Sequence, residues 1–454
     1  MRKRIFIVVL ILLSLLSGIS VTAESRDFSV YIDGDYLKTD VSPIVSSGRL
    51  LIPLRALSEA VHAEIRWNEA DKSIELKKDG TDIHLAIGKA QASVNGKPTL
   101  LDAPPEIEDG NAMVPLRFIA DALSYNIYYN EEKPSVLLSS GENPTMSVHF
   151  IDVGQGDSIF IILPDGKTML IDGGNPENGK MLEEYIKANS NGALDYLVAT
   201  HPHADHIGGL ADVIKEIGAD NFYMPKITSN TLVFENMLTE IKNIGGSITA
   251  AKAGVVIDKN DKYSIEIIAP KSDTYKSLND YSAVIMLTYG NRRFLFTGDA
   301  EKVSENEIIA DKKADIKADV LKVGHHGSKT STSAAFLSRV NPSVSVISVG
   351  KDNTYDHPSE AVTARLKLYG SEVFRTDILG TIKAYSDGDT LEIRTDALSP
   401  EIESAPLIVY VTKSGKKYHT KDCPTIKSSK NVTAVSFEDA VKKYSPCSVC
   451  KPAA

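Results

Sequence analysis

Residues 147 to 396 of this 454-residue chain predict an α/β domain, with a duplicated α+β unit before it and a small module after it. Three observations carry that reading. Strand-like apolar runs at 147–152, 158–163 and 169–174 are followed by a helical stretch near 177–189, and the alternation of strands and helices continues to about residue 396. Clusters of titratable residues stand where strand-like runs end, which is where α/β sheets hold their sites. Two segments rich in breakers, SSGENPT at 139–145 and ALSPEIESAP at 397–406, read as linkers and leave a span of ordinary size for one large domain.

The N-terminus, MRKRIFIVVLILLSLLSGISVTAES, has three basic residues, an apolar run from Ile5 to Leu16, and Val21-Thr22-Ala23 as a small-residue cleavage site. That is the pattern of a secretory signal over residues 1–23, cleaved after Ala23; a retained anchor is the competing reading. No other stretch approaches spanning length. The mature chain is therefore expected to be secreted, extracellular or associated with the cell wall, and to form no transmembrane channel.

An internal repeat follows. LIPLRALSEAVHAEIRWN at 51–68 aligns with MVPLRFIADALSYNIYYN at 113–130 at an offset of 62 residues. The same offset pairs Asp33-Gly34 with Asn95-Gly96, both hairpin-turn dipeptides. Each unit reads as a hairpin, a short helix opened by Pro-Leu-Arg, and two closing strands. The pattern resembles the copper amine oxidase N-terminal-like domain, over residues 28–139, which implies a stalk-like module with a possible role in wall association. His62 and His84 are single and unmatched between the repeats, so they read as structural, and no copper is implied.

The chemistry is concentrated in THPHADHIGG, residues 200–209. DYLVAT before it reads as a buried strand and GGLADVIKEIG after it as a helix, so the histidines lie on a strand-to-helix loop. In an extended segment His201 and His203 point the same way and can share one metal. Asp205 and His206, at the turn into the helix, can face a second. Imidazole with carboxylate suits zinc, manganese or iron. Further ligands should end other strands: Asp299 in FLFTGDAE, His325 and His326 in DVLKVGHHGSKTS, and His357 in NTYDHPSE.

Together with HFIDVGQGDSIFIILPDGKTMLIDGG, these motifs resemble the metallo-β-lactamase-fold hydrolases, and more narrowly the extracellular hydrolase domain of the ComEC-like competence DNA-internalisation proteins. The resemblance covers residues 147–396. It implies an αββα sandwich holding two divalent ions, Zn2+ or Mn2+: His201 and His203 on the first metal, Asp205 and His206 on the second, Asp299 bridging, and His325 completing the second. The chain departs from much of the superfamily in one respect, since residues 207–298 contain no histidine. Asn279 or Ser282 is expected near the first metal instead. Asp157, Asp172 and His149 read as supporting or structural groups.

Two divalent ions would activate a water and clamp the charge of a displacement at phosphorus. Asp205 would orient the nucleophile, while His326 or His357 would either protonate the leaving oxygen or support the ligands. A phosphodiesterase or nuclease acting on extracellular DNA is the reading these features favour. A hydrolase of another exported ester or amide, such as wall-polymer phosphorylcholine or a β-lactam, is the alternative, and a wall-binding protein with an inactive hydrolase domain is a third.

The three cysteines all fall in the tail, 407–454. His419 and Cys423 at spacing H-x3-C, with the Cys447-x2-Cys450 knuckle, make a Cys3His set, the coordination of a structural zinc. The segment is similar to the Ada-like metal-binding module. It holds nine Lys, no Arg and three acidic residues, a net +6 in a chain of net −10. A basic tail beside an acidic body points to contact with a phosphate backbone through the tail.

Overall fold

The computed structural model describes residues 28–130, 134–312, 314–397, 408–419, 423–429, 431–447 and 449. The leader at 1–23, most of the second linker and Cys450 lie outside them. Among the described residues no helix is long and apolar enough to cross a membrane.

The hydrolase-like domain is built from two sheets packed face to face with helices outside each, the αββα arrangement. One sheet has eight strands, ordered from Ile248–Ala250 through Tyr196–Val198 and Met146–Phe150 to Glu392–Thr395; the other has seven, from Val256–Lys259 to Glu372–Arg375. The pleat explains how the sequence specifies both faces, because successive side chains point to opposite sides. In Ile159–Ile162, Ile159 and Ile161 enter the core between the sheets, while Phe160 and Ile162 pack outward beneath Leu182, Ile186, Val213 and Met237 of the covering helices. In Arg292–Phe296, Phe294 and Phe296 face inward and Leu295 faces Ile308, Phe336 and Leu337. Both faces are buried, so these strands read as continuous apolar runs.

Parallel pairing sets the site. Thr168–Ile171 and Tyr196–Val198 are parallel neighbours in one sheet. Arg292–Phe296, Val320–Lys322 and Val344–Ile347 are parallel neighbours in the other. The carboxyl ends of each set therefore share an edge, and the candidate residues follow those ends.

The N-terminal repeat folds as two matching units. Pro53 and Pro115 occupy the N-cap positions of Leu54–Ala60 and Leu116–Ala122 with nearly the same backbone angles. The strands before them, Arg49–Pro53 and Asn111–Pro115, pair antiparallel with Ile52 opposite Val114, so equivalent residues meet at a pseudo-twofold axis. Asp33-Gly34 and Asn95-Gly96 all have positive φ, the conformation a two-residue primed turn requires.

SSGENPT does not behave as a free linker. Ser140 N–H donates to Asp33 Oδ1 at 2.7 Å, and Tyr289 O–H donates to the Pro144 carbonyl at 2.6 Å. Tyr31 and Leu137 of the first domain enter the same core as Phe160 and Leu170 of the second. Tyr385 O–H donates to Asp35 Oδ1 at 2.6 Å across the junction. The first domain is thus docked on the second.

Candidate metal centre

After the strand Tyr196–Val198 the chain bends at His201 and Pro202, and His203, with extended backbone angles, caps a one-turn helix, Ala204–Ile207, that carries Asp205 and His206. His201 Nε2 lies 2.9 Å from His203 Nδ1, so the two rings converge, though through a bend and not through strand alternation. The glycines that follow serve close packing: a Cβ on Gly208 would stand 2.4 Å from Pro176 N and from the Ala204 carbonyl.

Asp299 faces this loop from the second sheet, buried to 2 % exposure. Its two oxygens look in different directions. Oδ1 is 3.3 Å from His206 Nε2 and 3.6 Å from His326 Nε2. Oδ2 is 3.8 Å from His201 Nε2 and 3.6 Å from His325 Nε2. Two donor groups result, His201, His203 and Asp299 on one side and Asp205, His206 and His326 on the other, each with ligand atoms within 4.8 Å of one another.

This corrects the two histidines of the HHG motif. The structure places His326, not His325, with Asp205 and His206: its Nε2 is 3.3 Å from Asp205 Oδ2. The cause is backbone conformation. His325 and His326 both take left-handed angles, φ 50° and 51°, so the chain turns over at the strand end, and the two rings reach different oxygens of Asp299. Two consecutive non-glycine residues there cost about 1–2 kcal/mol each, strain of a kind that persists where a site demands it. His325 falls on the Oδ2 side, where the sequence left the first group without a third histidine.

The residues fit a pair of cations. His206 Nε2, His326 Nε2 and Asp299 Oδ1 are buried, lack hydrogen-bond partners and converge, an arrangement that is costly unless an ion satisfies them. The opposite ring nitrogens are all held. His206 Nδ1 donates to Asp172 Oδ2 at 2.7 Å. His201 Nδ1 sits 3.1 Å from Thr200 Oγ1, which itself donates to Asp172 Oδ2 at 2.6 Å. His326 Nδ1 donates to the Ser348 carbonyl at 2.9 Å, and His325 Nδ1 lies 3.3 Å from Glu301 and 3.2 Å from Thr330 Oγ1. Fixing one nitrogen presents the other to the metal. Asp172 orients a ring of each group, so Asp172→Asn should weaken binding about 10–100-fold. Metal titration followed by bound stoichiometry would show it, and unchanged affinity would remove Asp172 from this role.

The sequence reading missed three supporting groups. Glu301 and Thr330 orient His325. Lys322, fully buried, pairs with Asp157 at 3.0 Å, and Asp157 Oδ1 is 3.3 Å from His326 Nδ1. A lysine inside a strand signals exposure unless its counter-ion is known, and here that counter-ion lies far away in sequence.

Burial pushes the His206 pKa down, but the Asp299 and Asp172 carboxylates outweigh it and hold it well above the ordinary histidine range. Against the same burial, Asp299 and Asp157 raise His326 to about 10. Below those values each ring carries a proton that a cation must displace, and the competition eases as pH rises. Affinity for zinc should therefore increase with pH, by up to about two log units per pH unit for two displaced protons. Chelator competition at about pH 6 and pH 8 measures this; equal affinities would contradict it.

The remaining candidates are placed as follows. The His357 ring lies 5.5 Å from that of His325 and 6.4 Å from that of His326, at the mouth of the cluster. Asn279 Nδ2 is 3.4 Å from His325 Nδ1, and Ser282 Oγ is 3.4 Å from His201 Nδ1, so both stand beside the first group. His149 is buried between Ser147 and Tyr185, away from the cluster. His84 meets Glu75 and Asp82 on an exposed sheet face, where Lys77 reaches both carboxylates. In the tail, His419, Cys423 and Cys447 are buried within 4.8 Å of one another, and neither described cysteine is in a disulfide.

The family model of the Metallo-beta-lactamase superfamily matches residues 151–351, and that of the Copper amine oxidase N-terminal domain matches residues 31–138. Over 264 residues the chain is 33% identical to ComE operon protein 3 of Bacillus subtilis (strain 168), covering 54% of this chain and 33% of that protein. It is 33% identical over 265 residues to Recombination protein 2 of Haemophilus influenzae, covering 57% and 31%. It is 28% identical over 239 residues to Competence protein ComA of Neisseria gonorrhoeae, covering 51% and 31%. The chain thus spans about a third of the length of these relatives. Both resemblances drawn from the repeat and from the histidine motifs are matched by these findings.

Proposed function

Residues 151–351 belong to the metallo-β-lactamase superfamily, and from that premise we propose that the chain is a secreted metal-dependent phosphodiesterase acting on DNA. The observation that carries the reading is Asp299, whose two oxygens each face a separate group of buried ligand atoms. The names of the relatives, competence and recombination, favour DNA as the phosphodiester. The basic, apolar and small-residue order of the first 23 residues supports export.

His201, His203 and Asp299, with His325 beside them, would hold one cation; Asp205, His206, His326 and Asp299 would hold the other. Two divalent ions supply positive charge to a phosphoryl group and make a water acidic enough to attack near neutral pH. The protein residues do the rest. Asp205, whose side chain is 30% exposed, is the ligand open to substrate and orients the attacking water. His326 has both ring nitrogens engaged in the cluster and is not a proton donor to the leaving group. His357 takes that position. Burial, together with His325 and His326, holds its pKa below the ordinary value, and its ring at the mouth of the cluster faces the leaving oxygen.

The test is hydrolysis by the metal-reconstituted mature protein of single- and double-stranded DNA, bis-p-nitrophenyl phosphate, p-nitrophenylphosphorylcholine and nitrocefin. Cleavage of DNA and the phosphodiester is expected. Turnover confined to phosphorylcholine or nitrocefin would replace the reading by the corresponding esterase or lactamase, and no turnover at all would leave a binding protein.

For the tail we assign a structural zinc to His419, Cys423, Cys447 and Cys450, supported by the three buried, converging ligands described. Val409, Val411 and Tyr418 of this module pack with Leu368. Deleting residues 407–454 should leave hydrolysis of bis-p-nitrophenyl phosphate nearly intact while weakening binding of long DNA in a salt-dependent way. Cleavage of long DNA at low salt as fast as by the full chain would show that the tail is no DNA-binding element.

A further inference from the structure

An exposed aromatic ring stands at the entrance to the metal centre. Tyr355 is 65% exposed and stacks on His357, with ring centroids 5.9 Å apart and planes inclined by 25°. His357 in turn lies against His325 and His326, so Tyr355 is one ring removed from the ligands and turns its other face to solvent. The loop that carries it is pinned. Asn353 Oδ1 accepts from the N–H groups of Tyr355 and His357, both at 3.1 Å, and its Nδ2 donates to the carbonyls of Gly350 and His357 at 3.0 and 2.6 Å. Ser359 N–H donates to the Gly327 carbonyl at 2.9 Å, tying the loop to the HHG turn. A large apolar ring held out from a fixed loop gains nothing for folding; it is preorganised for contact.

Two further features share the entrance. Lys351 and Lys329, on the same loop and on the HHG loop, are exposed, and so are Asp352 and Asp356 on the Tyr355 loop. Leu278 adjoins Asn279, which stands beside His325, and lines a cleft of about 620 Å³ together with Pro225, Lys226, Tyr275 and Tyr281. The exposed ring offers a face to a flat group, and a metal centre one ring away suits phosphate charge, so a chain of phosphates with flat groups attached fits both. Bases in a duplex are stacked on one another, so none is available to Tyr355 or to the cleft without unpairing.

We propose that Tyr355 is a base-stacking platform, and that the site takes single-stranded nucleic acid, one base lying on Tyr355 and the strand continuing across the metal centre towards the Leu278 cleft. The proposal rests on the phosphodiesterase reading for its location and adds the strandedness of the substrate and the residue that selects it. Stacking of a base on an aromatic side chain contributes about 1–3 kcal/mol, which corresponds to roughly a 5- to 150-fold change in affinity.

The experiment uses the full-length protein carrying Asp205→Asn, so that bound strands are not cut, with and without Tyr355→Ala or Tyr355→Trp. Binding of a fluorescein-labelled oligothymidylate, and of the same length of blunt duplex, is read by anisotropy. The expected result is tighter binding of the single strand, weakened at least fivefold by Tyr355→Ala and restored by Tyr355→Trp, with duplex binding unmoved. Equal binding by Tyr355→Ala and its parent overturns the proposal, as does a loss shared equally by duplex and single strand. Turnover of bis-p-nitrophenyl phosphate by the otherwise wild-type protein is measured separately. Its absence beside Tyr355-dependent binding would sink the hydrolase reading and leave the stacking site standing.

Discussion

Asp299→Ala is expected to lower the bound metal from two equivalents to fewer than one and to abolish hydrolysis of every substrate the protein accepts. The carboxylate stands between the two donor groups and offers one oxygen to each, so its removal subtracts a ligand from both at once. It also removes the charge that offsets two neighbouring cations. The variant should still fold, because the core between the sheets is apolar and Asp299 contributes no packing to it. Metal analysis, circular dichroism and turnover on one preparation separate these effects. Undiminished turnover with native metal content would rule out the two-metal assignment.

His326→Ala should have the second largest effect, with loss of one metal equivalent and a fall in kcat on the order of a thousandfold, since a centre built for two cations then has one. His325→Ala provides the contrast. His325 lies 23% exposed on the Oδ2 side of Asp299, and its loss should weaken the first cation while leaving the second in place. The ordering reverses what the resemblance implied, which put His325 on the second metal. If His325→Ala removes the cation held by Asp205 and His206, and His326→Ala does not, the left-handed turn has been misassigned.

Much of the site was legible because it depends on periodicities. His201 and His203 converge as their two-residue spacing predicts, although across a bend, and Asp205 and His206 separate from them since a helix begins at Ala204. The duplicated Pro-Leu-Arg helices were legible because Pro is preorganised to open a helix and the offset repeats. Three things were not. That His326 and not His325 joins the second group goes with two left-handed residues, which the HHG motif by itself does not reveal. Lys322 reads as a surface residue until Asp157 is seen against it. The SSGENPT segment has the composition of a linker, yet Asp33 and Tyr289, remote in sequence, hold it. In the last two cases the deciding partner is distant along the chain.

The most direct measurement is an anomalous difference map from crystals of the zinc-loaded protein. The account predicts two peaks, one beside each oxygen of Asp299, with His201 and His203 touching the first and Asp205, His206 and His326 touching the second. A single peak, or two peaks that Asp299 does not join, would contradict it.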